Sequence, residues 1–193
     1  PAIDVPNYKL TGPGVLYQGA LKLSKWLATE ENGKTVYKAL GNVKFELSIE
    51  GYEDFVLDEL TTGLENDGST SEDSEDPKTG YAVSRYFEYK EVLGQFVEYL
   101  ETVKGLSAEE AEAEANRIFQ AGEDADGSGE PDYYTISCIL REVDAPAKVV
   151  MDQTAHEVTL KLLDTSLAED AEDYINKEYF TIDTTGFPEV DGA

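Results

Sequence analysis

The sequence predicts a β-dominated α+β domain: a β-sandwich with a helical insertion packed on its sheets. Three observations lead there. Apolar residues alternate strictly with polar ones through Val43, Phe45, Leu47 and Ile49, and again through Tyr134, Ile136, Cys138 and Leu140, which is the period of a strand. Helical spacing is confined to one stretch near the middle of the chain. A length of 193 residues, 40% of them apolar, suits one domain with a sizeable core. The expected organisation is therefore a single domain over 1–193, with an acidic exposed loop or arm at 64–80 and a helical insertion at 90–122.

The elements follow in order. After Gly12-Pro13-Gly14, the residues Val15, Tyr17, Gly19, Leu21 and Leu23 share one face at period two, predicting a strand with a bulge or close approach at Gly19. Asn32-Gly33 predicts a hairpin turn leading into a short strand at Val36-Tyr37. Leu40-Gly41-Asn42 launches the Val43–Ile49 strand, expected to be buried on one face and wet on the other. Phe55, Val56, Leu57 and Leu60 continue the sheet.

From Gly63 to Gly80 the text is "GLENDGSTSEDSEDPKTG", without an apolar residue after Leu64. Such a segment supplies no core, so it is either a solvated loop or an arm that contacts a neighbouring subunit. A strand from Tyr81 to Tyr89 should then run into a helix bearing Leu93, Phe96, Val97 and Leu100 on one face. Gly105 stops it. Ser107 and Glu110 form a capping box for a second helix with Ala111, Ala115, Ile118 and Phe119 on its apolar side, ended by Gly122. Strands resume at 134–141, at Val149-Val150-Met151 and at Val158, Leu160 and Leu162. Ser166 to Asn176 reads as helical and Tyr179 to Ile182 as a last strand.

Charge is the strongest global fact: 41 Asp plus Glu against 15 Lys plus Arg leave a formal net charge of -26. Phosphate backbones are repelled by such a surface, so specific nucleic-acid binding is excluded as a function class. Three explanations stand: adaptation to high salt, a calcium-rich partner, or a surface that must not adhere to an anionic polymer. No apolar run is long enough for a membrane helix, and no basic region followed by an apolar one marks a signal peptide.

"AGEDADGSGEPDYY" invites a calcium reading, with Asp124, Asp126, Ser128 and Glu130 as its candidate oxygen ligands. An EF-hand loop begun at Asp124 fails at Pro131 and at Thr135, where a bidentate Glu is required. The stretch therefore reads as an acidic helix-to-strand connection, and no resident metal is expected. His156 is the one histidine and Cys138 the one cysteine, and neither sits in a catalytic pattern. Cys138 lies in an apolar run, as a buried structural thiol would. No cofactor and no enzymatic activity are expected. The Tyr residues and Trp26 fall at core spacing rather than along a carbohydrate groove.

The N-terminal third, "NYKLTGPGVLYQGALKL", an acidic glycine turn, then "YKALGNVKFELSIE", resembles the major tail proteins that build the tail tube of long-tailed bacteriophages. Gly14, Leu16, Leu40, Gly41, Asn42 and Glu50 carry the resemblance, which spans Asn7 to Glu59. A weaker echo follows in the helix after Tyr81 and in "YYTISCILREV". The acidic stretch from Glu65 to Asp76 and the extended helical pair depart from the family pattern.

The resemblance implies a sandwich or barrel-like tail-tube subunit that partners itself, in rings of six stacked into a tube. Other tail proteins would meet the tube ends, and DNA would be non-specific cargo in the lumen. The place implied is the virion tail, assembled in the host cytoplasm without a membrane. Glu65, Asp67, Glu72, Asp73, Glu75 and Asp76 become candidates for contact between rings. The competing expectation is an acidic calcium- or carbohydrate-binding module of a surface or secreted protein.

Overall fold

The computed structural model describes residues 3–4, 15–147, 149–151 and 154–163. Gly14, the helical reading at 166–176 and the last strand at 179–182 lie outside them. The strands are β1 (Ile3–Asp4), β2 (Val15–Gln18), β3 (Lys22–Ser24), β4 (Trp26–Glu31), β5 (Lys34–Ala39), β6 (Lys44–Ile49), β7 (Tyr52–Thr61), β8 (Tyr81–Val83), β9 (Gln120–Ala121), β10 (Tyr133–Asp144), β11 (Val149–Val150) and β12 (His156–Leu163). The helices are α1 (Tyr89–Thr102) and α2 (Ala108–Ile118). The fold is β-dominated α+β, and the described strands form no closed barrel.

The main sheet runs β2-β12-β10-β6-β7, with β9 also paired to β10. Its strands pair antiparallel except for β2 on β12, which are parallel. The long strand β10 is the centre: Leu140 faces His156 of β12 on one side and Leu47 of β6 on the other. Period two then decides the rest. Phe45, Leu47 and Ile49 are fully buried on the inward face beside Ile136, Cys138, Leu140, Val158 and Leu160. Each such side chain contributes roughly 1.5–3 kcal/mol through burial.

Two smaller pairs, β3–β8 and β4–β5, accompany the main sheet. The Asn32-Gly33 turn between β4 and β5 has φ 52 and 77, the double positive φ that a tight hairpin of matching twist requires. The expected strand from Val15 to Leu23 is broken in two at Gly19-Ala20. Gly19 takes φ +72, and a Cβ there would fall 2.3 Å from the Tyr86 ring, which is the close approach its glycine anticipates.

The strand expected from Tyr81 to Tyr89 ends at Val83, and Tyr89 already belongs to α1. Glu88 is the reason: its carboxylate accepts from the Glu91 N–H at 3.0 Å and caps the helix one turn earlier than the apolar spacing indicates. The buried stripe of α1 is Val92, Phe96, Tyr99 and Leu100, with Leu93 and Val97 half-buried beside it. Phe96 meets Tyr52 edge-on at 5.1 Å and Phe55 at 5.4 Å, which seats α1 on the inward face of the sheet.

Gly105, at φ +70, ends that turn, and the Leu106 N–H returns to the Leu100 carbonyl at 3.1 Å. The Ser107/Glu110 capping box forms in both directions. Gly122 is not the stop of α2. The helix ends at Ile118, and β9 intervenes before Gly122 packs against the Tyr133 ring, where a Cβ would fall 2.2 Å from a ring carbon. The insertion thus runs from 89 to 118 rather than 90 to 122.

Candidate functional site

The acidic loop is positioned by glycines. A Cβ on Gly41 would lie 2.2 Å from the Ser71 carbonyl oxygen, one on Gly63 2.7 Å from that of Thr79, and one on Gly80 2.5 Å from that of Lys25. These close approaches let the backbone bond across: Ser71 N–H to Gly63 O at 2.8 Å, Ala39 N–H to Ser74 O at 3.0 Å, and Gly63 N–H to Tyr81 O at 2.9 Å. Thr79 is buried and its hydroxyl meets that of Ser71 at 2.7 Å. Lys38 pairs with Glu75.

The segment 64–80 therefore leaves and rejoins the body at one point and is held down between. All six acids, Glu65, Asp67, Glu72, Asp73, Glu75 and Asp76, are exposed on it. The Ser69 hydroxyl and N–H both donate to Asp67, which holds that carboxyl below its ordinary range. The segment is an acidic rim fixed to the body, where composition allowed either a solvated loop or an arm against a neighbouring subunit.

Gly41 belongs to the Leu-Gly-Asn turn, and its role is now steric. Replacing it with Ala is expected to cost about 1–3 kcal/mol, the range for forcing a methyl into an occupied space, and to loosen the loop. Limited proteolysis should then cut between Glu65 and Asp76 sooner than in the unaltered protein, and an unchanged cleavage rate would rule the contact out as a constraint.

Of the other residues that carried the resemblance, Leu40, Asn42 and Glu50 flank the two ends of β6. Leu40 N–H donates to the Lys25 carbonyl at 3.1 Å, and Asn42, at φ 59, donates to the Thr62 carbonyl at 2.9 Å. At the far end, exposed Glu50 donates its N–H to Ser137 O at 3.0 Å and borders a depression of about 330 Å³ with Gly51, Arg117, Ile118, Gln120 and Ser137. Leu16 sits in β2 at the register position of Thr159.

The aspartate turn joins β9 to β10, as a helix-side to strand connection should. Asp124 accepts from the N–H groups of Ser128 (3.1 Å) and Gly129 (2.8 Å), and Asp126 from that of Ser128 at 2.9 Å. Those bonds, from the Ser128 backbone first, hold the Asp126 carboxyl below its ordinary range. The third carboxylate is Asp132, not Glu130: oxygens of Asp124, Asp126 and Asp132 lie within 4.8 Å of one another. Glu130 stands exposed and takes part only through its backbone, its N–H donating to Ser128 Oγ at 3.3 Å. In the EF-hand register begun at Asp124, Asp132 takes position 9, a place that often reaches its ion through a water, and the sequence reading passed over it.

Two buried polar features were not visible in the sequence. Lys25 and Glu142, 117 residues apart, form an ion pair whose side chains are both fully buried. Burial also lowers the Lys22 ammonium to about 8. Cys138 is buried, which pushes its thiol far up and leaves it unreactive. His156 is buried opposite Leu140 in the sheet. The aromatic side chains serve packing: Tyr89 stacks on Tyr134 at 3.7 Å, and Tyr52 lies edge-on to Tyr99 at 6.1 Å. Burial and the bond to Glu114 raise the Tyr52 hydroxyl above its ordinary range.

None of the described helices is long and apolar enough to cross a membrane. In comparison with known proteins, no family, no curated sequence and no solved structure matches the chain.

Proposed function

We propose that this chain is a structural virion protein that assembles with itself into stacked rings, six copies to a ring, forming the tail tube of a long-tailed bacteriophage. The single observation that carries the reading is the strand, Leu-Gly-Asn turn and alternating strand of the N-terminal third, which resembles the major tail proteins. A β-dominated α+β subunit and a net charge of -26 are consistent with it. An acidic lumen repels phosphate and keeps a passing duplex in a hydrated gap, whereas a basic wall would bind it and release its counterions.

Electron microscopy of the purified protein at high concentration tests the reading. Rings or striated tubes are the expected result, and a monomer at every concentration and salt overturns it.

Within this reading, the rim at 64–80 makes the contact between rings. Its backbone is part of the body, so the informative change is neutralisation rather than deletion. Substituting Ser or Asn for Glu65, Asp67, Glu72, Asp73, Glu75 and Asp76 should leave the melting curve in place and shorten the tubes. Tubes of normal length and stability would remove the rim from the contact.

The trio Asp124, Asp126 and Asp132 favours the second reading, a calcium-binding surface module. The tail-tube reading expects no change of melting temperature in micromolar calcium, because backbone N–H groups already occupy oxygens of Asp124 and Asp126. A rise that Asp124→Ala and Asp126→Ala abolish would favour the second reading instead.

A further inference from the structure

Among the described residues, Asn32 and Asn42 alone combine a side chain with a left-handed backbone, at φ 52 and 59. Both stand in turns, but the residue that follows differs. After Asn42 comes Val43, fully buried, whose N–H donates to Thr62 Oγ1 at 3.0 Å. After Asn32 comes Gly33, at φ +77, with nothing within 4 Å of where a Cβ would lie. Asn32 and Gly33 are both exposed.

These two residues are the loop of the β4–β5 hairpin, beyond its last register pair, Glu31 and Lys34. In a two-residue turn the flanking pair closes the ladder, so the Gly33 N–H has no ladder partner. The nitrogen is therefore unhindered, unbonded and next to a neutral side-chain amide. No other Asn in the chain precedes a glycine. The nearest analogues are tied down: the Gly68 N–H donates to the Glu65 carbonyl at 3.0 Å, while Asp67 accepts from the Ser69 N–H and hydroxyl. Asp126, before Gly127, accepts from the Ser128 N–H at 2.9 Å. Both are carboxylates, which resist attack by an amide nitrogen far more than the Asn32 amide does.

We propose that Asn32 is a site of spontaneous modification, at which the Gly33 nitrogen closes on the Asn32 side chain and converts it to aspartate and isoaspartate. Hydroxide takes the Gly33 amide proton, and the nitrogen attacks Cγ of Asn32. The new C–N bond closes a succinimide ring, and the side-chain nitrogen takes up a proton and leaves as ammonia. Water then opens the ring at one of its two carbonyls. Cleavage at Cγ leaves an aspartate in an unaltered main chain, whereas cleavage at the Asn32 carbonyl carbon routes the main chain through the side chain as isoaspartate. The sum is Asn plus water giving either product plus ammonia, with nothing oxidised or reduced.

Bringing the nitrogen onto Cγ requires rotation about ψ and χ1 of Asn32, and only the exposed end of a two-stranded hairpin resists it. Either product adds a carboxylate to a tip that already holds Glu30 and Glu31 beside Lys34. Isoaspartate also lengthens the main chain by a carbon, which a two-residue turn has no room for, so the Glu31–Lys34 register is lost in that product.

Peptide mapping by mass spectrometry tests the site on protein held at mildly alkaline pH, folded and in guanidinium chloride. The folded rate at Asn32 should stay within roughly tenfold of the unfolded rate, a barrier difference of about 1.4 kcal/mol, since no ladder hydrogen bond has to open. A greater slowing, or no conversion at Asn32, overturns the proposal. Anion exchange of the aged folded protein should resolve a more acidic species, and Asn32→Gly, which suits the same turn, should remove it. Persistence of that species in the variant places the reaction elsewhere and overturns the assignment.

Discussion

Glu142→Ala is expected to destabilise the fold by about 3–5 kcal/mol, the cost of breaking a buried ion pair by removing one partner. Lys25 and Glu142 are both fully buried, where charges carry large desolvation costs. Truncating Glu142 leaves the Lys25 ammonium inside without the carboxylate that compensated it. The pair also joins distant parts of the chain. The Lys25 N–H donates to the Gly80 carbonyl at 2.8 Å, and its own carbonyl accepts from Leu40, so the loop exit and the Leu-Gly-Asn turn both hang on this residue.

A loss of that size is a large fraction of the 5–15 kcal/mol typical of a domain. Urea unfolding measures it. The double variant Lys25→Met/Glu142→Leu removes both charges and should recover most of the loss, because apolar replacements of similar volume often match a buried pair. A loss below about 1 kcal/mol for Glu142→Ala would mean that water reaches the pair.

Phe96→Ala should cost a comparable 3–5 kcal/mol, the range for deleting a buried aromatic ring. Phe96 is fully buried, and four rings surround it: Tyr52, Phe55, Tyr99 and Phe119, at 5.1, 5.4, 6.1 and 6.0 Å. It joins the β6–β7 hairpin to both helices. Emptying its site leaves a cavity that two rigid helices cannot fill by collapsing. Phe96→Leu, which keeps most of the volume, should lose less than half as much. Equal losses would indicate that ring geometry rather than volume holds the site together. Denaturant midpoints of the two variants distinguish these outcomes.

Local chemistry made much of the fold legible. The alternation through Val43 and Ile49, the Asn32-Gly33 turn, the Ser107/Glu110 capping box and the bend at Gly19 each rest on residues within a few positions of one another, so the sequence carries them. The boundary at Glu88 was missed because Tyr81, Val83, Phe87 and Tyr89 continue a strand-like alternation past the point where a capping carboxylate starts the helix. The buried pair was beyond reach, since nothing in the surroundings of Lys25 points to a residue 117 positions away. The candidate surfaces divide in the same manner. The exposure of the six loop acids follows from composition, whereas the docking of their backbone depends on Gly41, Gly63 and Gly80 meeting carbonyls brought in by the tertiary fold. Asp132, by contrast, was legible as the ninth position of the loop begun at Asp124, and the chain brings it to the other two by doubling back at Gly127 and Gly129, both at positive φ.

The central place of β10 has a consequence for how the protein is made. Before residue 133 leaves the ribosome, the β4–β5 and β6–β7 hairpins and the two helices can form, yet the main sheet cannot, because β6 and β12 both pair with β10. During that interval β6 presents an unpaired edge with Phe45, Leu47 and Ile49 beside it, a combination prone to aggregation. Pairings so remote in sequence also make folding slow. Translation past β10 is therefore the step that ends the vulnerable period of the nascent chain.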